Sequence, residues 1–149
     1  MSTPTRYGFI GCGMMGQEHL RNIALLPDTR VTRIFEPDDE MAARSLALAP
    51  GAQRAASLAE VVTSPDVDCL VITSPNFRHA QQLHEIAALR PLPVLVEKPA
   101  CTSIEDVRAL AELGAKYPAP IWVAMEYRYM PPVTRLMQEV HGQANTGPV

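Results

Sequence analysis

The chain has no surplus of basic residues. Its 13 Lys and Arg against 16 Asp and Glu leave a formal charge of −3 over 149 residues. A phosphate backbone is held by concentrated positive charge, so nucleic acid is not an expected partner. No apolar run approaches the ~18 residues that would mark a membrane helix. The short polar start Met1–Arg6 also lacks the layout of a secretory leader. No membrane association is expected. Cysteine is scarce: Cys12, Cys69 and Cys101 are far apart, odd in number and free of any C-x-x-C spacing. That argues against a disulfide framework and for a reducing compartment, with the cytoplasm as the default location. No metal site is expected, and no internal repeat or low-complexity segment stands out.

What is present suits one globular domain. Hydrophobic residues make up 47% of the chain and charged residues 19%, an ordinary balance. A domain of this length buries roughly 68–70% of its unfolded surface and needs no staple. Strand-like stretches at Tyr7–Ile10, Val31–Phe35, Gln53–Ala56, Val67–Thr73, Val94–Val96 and Ile121–Met125 are short and rich in β-branched or aromatic residues. Several are apolar almost throughout, as parallel strands covered on both faces must be. Helical stripes alternate with them: Leu20/Ile23/Ala24, Leu58/Val61/Val62, Ala80/Leu83/Ile86/Ala87 and Ile104/Val107/Leu110/Ala111. Ser57 with Glu60 and Thr102 with Glu105 carry capping-box spacing. Of the 14 prolines, Pro27, Pro37, Pro50, Pro65, Pro75, Pro91, Pro93, Pro99, Pro118 and Pro120 fall between these elements, where a missing N–H does no harm. The alternation predicts an α/β fold, a doubly wound, mostly parallel six-stranded Rossmann sheet of order 3-2-1-4-5-6.

The segment Gly11-Cys12-Gly13-Met14-Met15-Gly16 matches G-x-G-x-x-G between the first strand and the first helix. Gly11 permits the tight turn, Gly13 lets backbone approach a pyrophosphate, and Gly16 lets helix and strand pack closely. The helix N-terminus offers N–H groups and a positive dipole end to the phosphates. Cys12, Met14 and Met15 belong to this cofactor loop, with side chains expected to pack rather than react. Glu36, at the end of the second strand and 20 residues beyond Gly16, is placed to accept hydrogen bonds from the adenosine ribose. It also repels a 2′-phosphate, so NAD is the expected cofactor and NADP the less favoured one. Residues 1–130 are thus expected to form a dinucleotide-binding domain.

Further along, Thr73-Ser74-Pro75-Asn76 ends the fourth strand and leads into His79-Ala80, and Glu97-Lys98-Pro99 ends the fifth. Both lie where doubly wound sheets bind ligands. With the glycine loop and Glu126-Tyr127-Arg128-Tyr129-Met130-Pro131, these motifs resemble the glucose–fructose oxidoreductase/inositol dehydrogenase (Gfo/Idh/MocA) family over almost the whole chain. The resemblance implies a two-domain NAD(P)-dependent oxidoreductase that moves hydride between a nicotinamide cofactor and a hydroxyl/carbonyl pair of a sugar, polyol or related small molecule. Carried over, Lys98 is the substrate-facing catalytic lysine, stabilising alkoxide character on the reacting oxygen. Glu97 helps hold that lysine and the cofactor ribose, and Pro99 fixes the turn through a cis bond. Thr73, Ser74, Pro75, Asn76 and His79 belong to the nicotinamide end. Asn76 is equally suited to capping the next helix, and for His79 a structural hydrogen bond is favoured over proton transfer. His19, His84 and His141 have no evident partner, and Trp122 reads as core.

The resemblance has a boundary. Members of that family carry a substrate domain with an Asp-x-x-x-His motif. Here His141 is preceded four residues earlier by Met137. Residues 131–149 read as one helix, with the stripe Val133/Leu136/Met137/Val140, and the start of a substrate domain that is otherwise absent. That uncovered stripe predicts self-association. The alternative reading is a non-catalytic dinucleotide-binding module with a regulatory or sensing role, since a fold does not fix a function.

Overall fold

Six short segments lie side by side and all run in one direction. The computed structural model describes residues 3–142. Its strands are β1 (Thr5–Ile10), β2 (Thr29–Phe35), β3 (Gln53–Arg54), β4 (Cys69–Ile72), β5 (Val94–Glu97) and β6 (Ile121–Ala124). They form one sheet of order β3-β2-β1-β4-β5-β6, parallel at every pairing. This is the doubly wound Rossmann topology expected from the alternation. The order reverses between β1 and β4, which opens a crevice at the carboxyl ends of those strands.

The helices are α1 (Met14–Ile23), α2 (Asp39–Leu48), α3 (Leu58–Thr63), α4 (His79–Leu89), α5 (Ile104–Lys116) and α6 (Pro131–Gly142). The two-residue period of the strands divides the core. Phe9, Ile34 and Val71 point to one face and pack with Leu20 and Ile23 of α1. Ile10, Leu70, Ile72, Val94 and Val96 point to the other and meet α3 and α4 through Val61, Val62, Leu83 and Ile86. The β1 position facing α3 is Gly8, where an added Cβ would come within 2.6 Å of Val61 Cγ1. At the foot of β1, the Arg6 guanidinium donates twice to the Asp68 carboxylate, at 2.9 and 2.7 Å. That bond holds the Asp68 carboxyl below its ordinary range. Hydrogen bonds from the Ser64 hydroxyl and then Arg33 do the same for Asp66.

Several expected boundaries move. Val67 is buried but its N–H reaches back to the Ser64 carbonyl, so β4 starts only at Cys69. The Gln53–Ala56 strand contracts to two exposed residues at the sheet edge. Ser57 caps α3 by accepting from Glu60 N–H, while the Glu60 carboxylate reaches back to Ala56 N–H. The cap of α5 is Ser103, accepting from Asp106 N–H, rather than Thr102. The same three-residue spacing is simply shifted by one. Pro131 opens α6, a first-turn position where its missing N–H costs nothing.

Trp122 was expected in the core and is 58% exposed. Its neighbour Ile121 packs into the α3/α4 side of the sheet. Trp122, one residue on, therefore points to the opposite side, beside Leu95. The helices on that side, α1 and α2, contribute Leu20, Ile23, Leu46 and Leu48 to a core gathered around β1 and β2. Apolar composition told which residues could be covered but not which of them are. Among the described residues, no helix is long and apolar enough to cross a membrane.

Candidate cofactor site

The chain leaves β1 at Gly11, whose φ of +79° is left-handed backbone. A Cβ there would lie 2.5 Å from the Ser74 backbone, so glycine is required both by conformation and by the close approach of the loop after β4. Thr73 Oγ1 donates to the Gly11 carbonyl at 2.5 Å and ties the two loops together. Gly16 sits against the same hydroxyl, with a Cβ position 2.6 Å from Thr73 Oγ1. Gly13 is different. No atom lies within 4 Å of its Cβ position, it lines the crevice, and it begins α1 with no side-chain cap. Uncapped backbone with open space before it is what a diphosphate would fill.

Glu36, the residue directly after β2, is 6% exposed. Its Oε2 accepts from Cys12 N–H at 2.6 Å and its Oε1 from Asp38 N–H at 3.0 Å. Arg54 of β3 donates to the Glu36 carbonyl and to Asp39, which fixes the turn that carries the carboxylate. The side chain of Cys12 is fully buried, and burial pushes its thiol up to about 12. It contributes backbone to the loop and no thiol chemistry.

These parts enclose a crevice of about 720 Å³. Gly11, Gly13, Met14, Met15 and Glu36 line its first half, and Thr73, Ser74, Pro75, Asn76, Glu97 and Lys98 its second. Cys12, Gly16 and His79 are not on its wall. Sequence reasoning missed Phe35, Pro37 and Met41 beside Glu36, and Phe77, Arg78 and Gln82 beside Asn76. Phe77 and Arg78 occupy the variable positions of the T-S-P-N-x-x-H stretch, so the motif itself gave no reason to single them out.

The Lys98–Pro99 bond is cis, as expected. Lys98 is about half exposed, with its Nζ 3.9 Å from Glu126 Oε1 in the turn after β6. Glu97 is 6% exposed. One of its oxygens accepts from Lys98 N–H at 3.1 Å, and the other lies 2.8 Å from His19 Nε2. His19 had shown no partner in the sequence because Glu97 lies 78 residues away. His79 is fully buried, with its ring nitrogens 2.8 Å from the Pro99 carbonyl and 2.9 Å from the Ser74 carbonyl. It braces the two loops of the second half without reaching the crevice. Among the described residues, no cluster of three or more His, Cys, Asp or Glu is arranged to hold a metal ion.

Comparison with known proteins agrees with this geometry. Residues 5–125 match the Gfo/Idh/MocA model, described as an oxidoreductase family with an NAD-binding Rossmann fold. The chain is 30% identical over 139 residues to the rhizopine catabolism protein MocA of Rhizobium meliloti, covering 93% of this chain and 43% of that protein. It is 32% identical over 143 residues to the inositol 2-dehydrogenase of Corynebacterium glutamicum (strain R), covering 94% and 42%. Among solved structures, the myo-inositol dehydrogenase of Lactobacillus casei, in complex with NAD(H) and myo-inositol, superimposes with a TM-score of 0.87 at 21% identity. That match covers 98% of this chain and 44% of the other. The chain thus spans less than half the length of these relatives.

Proposed function

The chain belongs to the Gfo/Idh/MocA oxidoreductase family, and on that premise we propose that it is the cofactor-holding part of an NAD-dependent dehydrogenase acting on a hydroxyl of a sugar or polyol. The relatives named as inositol dehydrogenases favour a polyol. The observation that carries the reading is Lys98. It stands half exposed on the crevice wall, directly after the buried Glu97, at the same end of the sheet as the glycine loop.

The crevice divides the work. Backbone N–H groups at the start of α1 hold the diphosphate, and Glu36 faces the adenosine ribose. A carboxylate there disfavours a 2′-phosphate, so NAD is preferred over NADP. Bound NAD supplies the ring that accepts hydride. The Lys98 ammonium donates a hydrogen bond to the reacting hydroxyl oxygen and stabilises the negative charge that develops there as the hydroxyl proton leaves to water or to a base outside the described residues. Glu97 holds the Lys98 backbone N–H and so fixes where that ammonium starts from. Among the described residues, no histidine lines the crevice.

Two measurements test this. Calorimetry on the folded chain should show saturable binding of NADH, and a folded chain with no affinity for either nicotinamide dinucleotide overturns the reading. NADH formation, followed by absorbance with a polyol panel that includes myo-inositol, should appear in this chain or in a longer one containing it. Lys98→Ala should lower that rate about a hundredfold or more. Binding without turnover in both would favour a dinucleotide-sensing module instead.

A further inference from the structure

His19 lies on α1, the helix whose first turn faces the diphosphate position, yet it does not line the crevice. Its Nε2 is 2.8 Å from Glu97 Oε1, and the two side chains are 20% and 7% exposed. A carboxylate this deeply buried is costly unless each oxygen is hydrogen-bonded. One oxygen of Glu97 has the backbone N–H of Lys98; the other has His19. The pair therefore links the helix that starts at the glycine loop to the residue that sets the backbone of Lys98.

Resting on the cofactor reading above, we infer that His19 is a positioning residue for the nicotinamide end of the site, acting through Glu97 on Lys98. Without the imidazole, Glu97 loses the donor that keeps one oxygen turned toward α1. The carboxylate then has reason to rotate into the crevice. That change alters the charge and space beside Lys98, where the second half of the dinucleotide sits. The residues read as holding the adenosine half, Gly13 and Glu36, share no hydrogen bond with this pair. A merely structural pin between α1 and β5 would instead weaken both halves together, through the fold.

The experiment compares the affinity of the chain for NADH with that for ADP-ribose, which lacks the nicotinamide. His19→Gln places an amide donor near the original Nε2 position, and His19→Asn is too short to reach Glu97. Both are polar and compatible with a partly exposed helix position. In His19→Asn, NADH should bind about ten-fold more weakly, the size expected for one lost hydrogen bond to a buried ion. ADP-ribose should stay within about two-fold, and His19→Gln should recover most of the NADH affinity. A parallel fall for both ligands, or no change in His19→Asn, overturns the inference. Failure of the unmodified chain to bind NADH overturns the cofactor reading itself, and the role of His19 with it.

Discussion

Glu36 Oε2 accepts the backbone N–H of Cys12 at 2.6 Å. The residue expected to recognise the ribose is therefore also an anchor of the loop that receives the diphosphate. Its other oxygen accepts from Asp38 N–H, so both oxygens already face donors from the chain. On the proposed reading, recognition of the sugar and the shape of the glycine loop depend on a single carboxylate.

That double engagement makes the isosteric change costly. In Glu36→Gln, one of the two N–H groups must face an amide NH₂ rather than an oxygen. A stability loss of about 1–3 kcal/mol is expected in urea denaturation. Loss of the negative charge should also narrow the difference in affinity between NADH and NADPH, measured by calorimetry on the same material.

Two glycines two residues apart should behave in opposite ways. Gly11 has a left-handed φ and the Ser74 backbone at 2.5 Å from its Cβ position, so Gly11→Ala should cost about 2–5 kcal/mol of stability. Gly13 has open space, and Gly13→Ala should cost about 1 kcal/mol or less. The added methyl stands in open space where the proposed reading puts the diphosphate, so NADH affinity should fall about ten-fold or more with the melting curve nearly unchanged. Calorimetry and thermal denaturation of both variants separate the two effects.

Acid should act through Asp66 and Asp68. Both carboxyls are held below their ordinary range in the folded chain, Asp66 first by the Ser64 hydroxyl and Asp68 first by Arg6. A depressed folded value means the stabilisation is complete above the unfolded value of about 3.9 and is lost as pH falls below it. Thermal midpoints measured from pH 7 to pH 3 should drop at the acid end. The Asp66→Asn/Asp68→Asn double variant should start lower at pH 7 and fall less steeply.

The apolar surface near the end of the described chain should drive association. Trp122, Tyr127, Tyr129, Leu136 and Met137 are all exposed, on β6, the turn after it, and α6. Light scattering should show the weight-average mass rising with concentration. Trp122 emission should move to shorter wavelength over the same range. A monodisperse monomer at high concentration contradicts this.

Much of the architecture was legible because it rests on periodicity. Apolar runs of strand length alternating with helical stripes left few topologies, and the right-handed crossover rule reduced these to the strand order found. The glycine loop was legible from its own spacing directly after a strand, whereas the contacts that require its glycines, the Ser74 backbone at Gly11 and the Thr73 hydroxyl at Gly16, come from the distant loop after β4. Pairings across the sheet were not legible. Nothing near His19 in sequence announces Glu97, and nothing near His79 announces the Pro99 carbonyl, since parallel strands bring distant segments together. Exposure was misread at Trp122 because composition does not say which side of a strand meets a helix. His79 was grouped with the cofactor residues on the strength of its motif, with a structural hydrogen bond as the favoured role of its ring, and its burial between two carbonyls gives it that bracing role.

The reversal of strand order between β1 and β4 has a consequence for how the site would decay. The gap exists because the chain turns away in opposite directions on either side of it, and no single side chain is responsible for that. Substitutions on its walls should therefore erode affinity by degrees, each removing one contact from a cavity that persists. Only changes that alter how β1 and β4 lie together, such as those at Gly8 or Gly11, should close it outright.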